Sequence, residues 1–137
     1  MRLKKYLEIR GADATPSPLA LAVPTIWKGL LYDMQALADA VTLARAIPSS
    51  DILSLSNLAA RDGLRGEYGG RTIAAWCGDA VSIAAKGLSR IAIAGGCVDE
   101  SCYLDPMREV LASGRSPGDL WPEPGTVAEV LKRCEYP

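Results

Sequence analysis

Between positions 2 and 10 apolar and polar residues alternate. Leu3, Leu7 and Ile9 fall on odd positions, interrupted by Lys5, and Arg2, Lys4, Tyr6, Glu8 and Arg10 fall on even ones. A period of two sends successive side chains to opposite faces. The segment therefore predicts one β-strand over 2–10, with a mostly apolar face and a wholly polar one. Gly11 ends it, and Thr15-Pro16-Ser17-Pro18 reads as a loop.

Beyond that loop the period becomes helical. Pro24 suits a first helical position, and Ile26 to Tyr32 is apolar enough for burial. Asp33 is a cap for the next helix, on which Leu37, Val41 and Ala44 share a face, and Pro48 stops it. Asp51 to Ala60 predicts a short helix, and the four glycines between Gly63 and Gly70 predict a loop. The clearest helix runs from about 71 to 94, where Ile73, Cys77, Ala80, Val81, Ala84, Leu88 and Ile91 form a buried stripe. Gly95-Gly96 terminates it. Asp105-Pro106 reads as a cap and first helical residue, Gly114 as the stop, and Thr126 to Glu129 as a capping box for a last helix over Val127, Val130 and Leu131. The expected fold class is α+β and mainly helical: one strand and about six helices in a single segment, with a helical shell over 24–136.

A lone strand raises a physical problem. Its backbone N–H and C=O groups lack partners on both sides, so it must pair with a copy of itself, pair with another chain, or lie on the surface. The pattern suggests a piece of a sheet that is completed elsewhere.

Composition narrows the class. Of the 137 residues, 49% are hydrophobic and 23% charged, enough apolar content for a core. The apolar excess reads either as an alanine-rich helical interior or as surface intended for a partner. A net charge of −1 gives no basic face, so no nucleic-acid partner is expected. No apolar run reaches the ~18 residues of a membrane span. The basic start at Arg2, Lys4 and Lys5 is followed by Glu8 and Asp13 rather than by a signal-peptide core, so the expected location is cytoplasmic. The chain has no histidine, which excludes histidine-based metal sites and triads. Cys77, Cys97, Cys102 and Cys134 lack paired zinc spacing and are expected as reduced thiols, although Cys97 and Cys102 flank one loop and could bridge under oxidation.

The candidate chemistry lies on the strand. Glu8 and Arg10 are two apart, so an unbroken strand points both to one face, with Arg2 and Lys4 extending it. A carboxylate beside a guanidinium suits phosphoryl transfer: one can hold Mg²⁺, the other can take charge on the moving phosphoryl group. Alternating charges on a solvated strand face are nonetheless common, and the spacing alone does not decide.

Several motifs do more. Arg2 to Asp13 resembles the "RLKRYLEMRGAD" stretch of plant and proteobacterial glutamate–cysteine ligases. Residues 24–33 resemble "PAFWVGLLYD", Tyr103 to Pro106 and Ser113 to Pro117 resemble the "FLDPL…SGRTP" region, and Gly87-Leu88 falls where that family has "AGLKRR". The resemblance spans nearly the whole chain and is similar to the C-terminal portion of that family. It implies ATP- and Mg²⁺-dependent formation of a γ-glutamyl amide bond from glutamate and cysteine, on a curved antiparallel sheet with helices outside. It implies Glu8 as a metal ligand and Arg10 as the catalytic contact to the transferring phosphate. Arg2, Lys4, Tyr6, Asp13, Trp27 and Tyr32 are weaker candidates for contacting substrate or nucleotide. Trp27 and Tyr32 read first as core or pocket wall, Trp76 as a helix-surface or interface residue, and Asp13 either orients Arg10 or caps the turn. The Gly63–Gly70 stretch does not match a phosphate-binding loop.

Two departures qualify the resemblance. Residues 11–19 lack the basic and aromatic residues of the family's "GADGGPWRR" loop. The family's N-terminal portion, with most of its sheet and carboxylates, has no counterpart in this sequence. The expectation is a ligase segment that is inactive alone and needs the missing portion in trans, or a homo-oligomer through strand 2–10. The rival is a non-catalytic interaction module or truncated remnant of the same family.

Overall fold

Small residues set how the two longest helices meet. In a computed structural model, which describes residues 2–3, 7–8, 17–116, 119 and 126, helix α1 spans Ser17–Leu31 and helix α4 spans Ile73–Gly95. The buried stripe of α4 is Val81, Ala84, Gly87, Leu88 and Ala92, spaced by threes and fours as a core-facing helix requires. A Cβ on Gly29 would collide with the backbone carbonyl of Ala84, and one on Gly87 with the carbonyl oxygen of Gly29. The two backbones touch here because neither glycine interposes a side chain. Around this crossing Leu30, Val81, Ala84, Leu88 and Leu104 form the buried core, flanked by Ile26, Trp27, Met107 and Leu111.

The other helices are α2, Met34–Arg45, α3, Ile52–Asp62, and α5, Asp105–Ser113. Short 3-10 turns cover Ser49–Asp51, Gly63–Arg65 and Glu100–Leu104. α4 is the hub, packing against α1, α2 and α5. Asp33 caps α2 as its sequence position predicts, accepting from the Ala36 N–H at 2.7 Å. Gly96 and Gly114 close α4 and α5 in the left-handed region, at φ 60° and 64°.

The mainly helical α+β expectation holds, with five α-helices among the described residues and several local corrections. In place of the one strand expected over 2–10, the described residues form two: β1, Arg2–Leu3, pairs antiparallel with β2, Leu7–Glu8, with Arg2 opposite Glu8 and Leu3 opposite Leu7. Each of the two strands thus pairs with the other along one edge. Pro24 does not start α1 but sits inside it. Having no N–H, it leaves the Ala20 carbonyl without the usual helical donor, and the next residue, Thr25, turns its hydroxyl back onto the Leu21 carbonyl at 2.8 Å. The Gly63–Gly70 stretch is more than a loop. It carries a hairpin of β3, Glu67–Tyr68, and β4, Arg71–Thr72, turned by Gly69 and Gly70 at φ 60° and 73°. Asp105 lies within the first turn of α5 rather than capping it. Asp51 makes no cap bond to α3 and receives the Tyr68 hydroxyl instead. The expected last helix over 127–131 lies outside the described residues.

Candidate functional site

Of the site residues expected from sequence, Arg2 and Glu8 are placed through their backbone, directly opposed in the β1–β2 register. Lys4, Tyr6, Arg10 and Asp13 lie outside the described residues. Trp27 and Tyr32, five apart on the same segment, are not brought together. Trp27 is half-buried and lines a groove, as a pocket-wall reading anticipates. Tyr32 is 79% exposed just past the end of α1, so it is neither core nor pocket wall. The mostly apolar run from Ile26 into Tyr32 hid that α1 stops before it.

A groove of about 590 Å³ is framed by α1, α2, α3 and α4. Trp27, Leu43, Ile47, Leu55, Ile73 and Trp76 supply most of its wall, and Ser56 and Cys77 are among its few polarisable groups. Trp76 spends its indole N–H on the Tyr68 carbonyl at 3.2 Å, and the Arg71 guanidinium stacks on its ring at 4.5 Å. Arg71 also donates to Asp79 at 2.6 Å. The hairpin is thereby tied to the first turns of α4. Cys77 is open to the groove mouth yet surrounded by protein, and burial pushes its thiol up.

Polar pairings that sequence reasoning missed form struts between separate elements. Asp33 accepts from Arg90 on α4 through Nη2 at 2.6 Å and Nε at 3.0 Å, in addition to capping α2. The Arg90 bond, then the Ala36 N–H, holds the Asp33 carboxyl below its ordinary value. Lys28 donates to Glu100 at 2.7 Å, which raises the lysine's pKa. The Tyr68 hydroxyl donates to Asp51 at 2.7 Å, lowering the carboxyl and raising the phenol. These partners lie between 17 and 72 positions apart, beyond what local periodicity can signal. Among the described residues no group of three or more Cys, Asp or Glu could hold a metal ion. Cys77, Cys97 and Cys102 carry free thiols.

The helical shell and the Arg2-to-Asp13 motif segment define a class once known sequences are compared. The sequence matches Glutamate-cysteine ligase family 2 over residues 1–126, and the chain belongs to that family. The chloroplastic glutamate–cysteine ligase of Solanum lycopersicum is 29% identical over 119 residues, 87% of this chain and 22% of the relative. That of Arabidopsis thaliana is 30% identical over the same share. Glutamate–cysteine ligase A of Oryza sativa subsp. japonica is 54% identical over 37 residues, 27% of this chain and 8% of the relative. The chain thus spans about a fifth of the length of the relatives it matches over 119 residues. No solved structure matches it. No helix among the described residues is long and apolar enough to cross a membrane.

Proposed function

We propose that this chain is the active-site-strand and helical-shell portion of a glutamate–cysteine ligase-type enzyme, working with the remaining portion supplied by another polypeptide segment. The observation that carries the reading is the family match across residues 1–126, which takes in Glu8 and Arg10. The reaction is ATP- and Mg²⁺-dependent joining of glutamate to cysteine through a γ-glutamyl amide bond. The described residues do not by themselves fit Mg²⁺, since no cluster of three ligating groups occurs among them. Hard divalent cations want six or more oxygens, and one strand offers one carboxylate. In this reading Glu8 contributes a single oxygen ligand to a site whose other ligands lie elsewhere. Arg10 presents its two-pronged donor to the transferring phosphoryl group. The cytoplasm is the proposed location, where the free thiols of Cys77, Cys97 and Cys102 stay reduced.

The test supplies the N-terminal portion of a plant relative in trans and follows ADP release with glutamate, cysteine, ATP and Mg²⁺. Turnover that needs both polypeptides supports the proposal, and full turnover by the isolated chain overturns its incompleteness. A second reading, a non-catalytic interaction module, is favoured by the open apolar groove. It gains if the two polypeptides bind and no turnover appears.

A further inference from the structure

We propose that α3 is a hinged flap, rocking between its present place beside an open groove and a closed position seated on α4. Its packing is unlike that of the other helices. α1, α2 and α5 all lie on α4, whereas α3 packs chiefly on the turns at its two ends, Ser49–Asp51 and Gly63–Arg65. No residue of α3 is buried, and Ile52 is 55% exposed although it lines the groove. Open space lies on two sides of the helix: the groove of about 590 Å³ on one, and a recess of about 360 Å³ against Tyr68 on the other. A helix bounded by two recesses and held at its ends has room to move, and few buried contacts oppose the motion.

The surfaces on either side of the groove suit each other. α3 lines it with Ile52, Leu55, Ser56 and Ala59, and α4 with Ile73, Trp76, Cys77 and Ala80. Each set follows the three, four, seven spacing of a helical stripe made for a neighbour. Ser56, Ala59, Cys77 and Ala80 are small enough to let two helices approach closely. Closure takes both stripes out of water, which favours the closed position. Two ties govern the motion. At the C-terminal end of α3, Gly66 abuts Leu58 and Ile73 and accepts the Ile73 N–H at 2.8 Å, which makes a pivot. At the N-terminal end the Tyr68 hydroxyl donates to Asp51 at 2.7 Å and holds α3 to the hairpin. That bond is the latch: it belongs to the open position, and its loss releases the flap.

Cys77 already stands in the groove wall, so one added thiol on α3 reports closure. In the full chain carrying Ser56→Cys with Cys97→Ser, Cys102→Ser and Cys134→Ser, diamide should join position 56 to Cys77 by an intramolecular disulfide. Peptide mapping of the monomer band reads the link. A disulfide needs its two Cα atoms within about 7 Å, so the rate follows the closed population. Tyr68→Phe should speed linking by about fivefold, the population shift that follows when a hydrogen bond made only in the open position is lost. Hydrogen exchange over residues 52–62 should not change with it, since the flap moves as an intact helix. A disulfide that fails to form, or whose rate ignores Tyr68→Phe, overturns the proposal. So does faster linking accompanied by lost protection in α3, the mark of local unfolding. Should Tyr68→Phe lose its helical circular dichroism, Asp51→Ala breaks the same bond from the other end and is read in the same way.

Discussion

Asp33 does two jobs with one carboxylate, capping α2 and bridging to Arg90, and only the first is visible in sequence. Its place one residue before Met34 marks a cap; nothing local marks a guanidinium 57 positions away. The two roles separate experimentally, because asparagine keeps the capping acceptor and loses the charge. With its folded pKa held below the ordinary 3.8, Asp33 contributes stability above that value and loses it as pH falls through the folded pKa. Asp33→Asn should therefore lower the urea midpoint at pH 7, and the gap from the unsubstituted chain should close as pH falls below the ordinary carboxylate value and through the lowered folded one. High salt should also narrow the gap, since the Arg90 side chain is 40% exposed. A gap that is constant with pH would assign the effect to the cap alone. In the core, Leu88 is 2% exposed, and Leu88→Ala should cost about 2–5 kcal/mol by equilibrium unfolding. Leu53, 74% exposed, should tolerate alanine within about 0.5 kcal/mol.

At the scale of elements, the glycines of α1 and α4 divide by surroundings. Gly29→Ala or Gly87→Ala forces a methyl group into a facing backbone and should destabilise by about 1–3 kcal/mol or more, because backbone cannot step aside as a side chain can. Gly78 lies on the same α4, and a methyl group added there would meet nothing within 4 Å. Gly78→Ala should therefore be neutral or stabilise by up to about 1 kcal/mol through helix propensity. Thermal melts of the three variants compare them directly. Sequence reading placed α4 to within two residues and foresaw its stop, because a long unbroken stripe overrides local noise. It missed the β3–β4 hairpin, although Gly69-Gly70 between Glu67-Tyr68 and Arg71-Thr72 is a two-residue turn signal. Strands two residues long have too little alternation to register. The expected single strand over 2–10 carried alternation enough, but periodicity describes faces and says nothing of where a chain folds back, as β1 and β2 do.

At the scale of the molecule, the family was legible because its motifs are contiguous in sequence. The struts and the groove were not, because they exist only once distant helices pack. The proposed ligase role makes a sharp prediction in the two-polypeptide assay. Glu8→Gln and Arg10→Lys should each lower turnover by on the order of 10²-fold, the loss expected for a preorganised electrostatic contact. Lysine keeps the charge of Arg10 and lacks its fork, so Arg10→Lys tests geometry in particular. Complex formation, read by light scattering, should be unchanged. Variants with full turnover would remove both residues from the chemistry.

The backbone contact between Gly29 and the Ala84–Gly87 turn also orders events in time. α1 is made first, yet the surface it covers belongs to α4, and all of α2, α3 and the hairpin lie between them in the chain. At ~5–20 residues per second, a ribosome needs roughly 3–11 s to pass from the first contact to the second. Through that interval Ile26, Trp27 and Leu30 have no α4 to cover them. The nascent chain therefore offers an apolar helix to chaperones well before its own core can claim it.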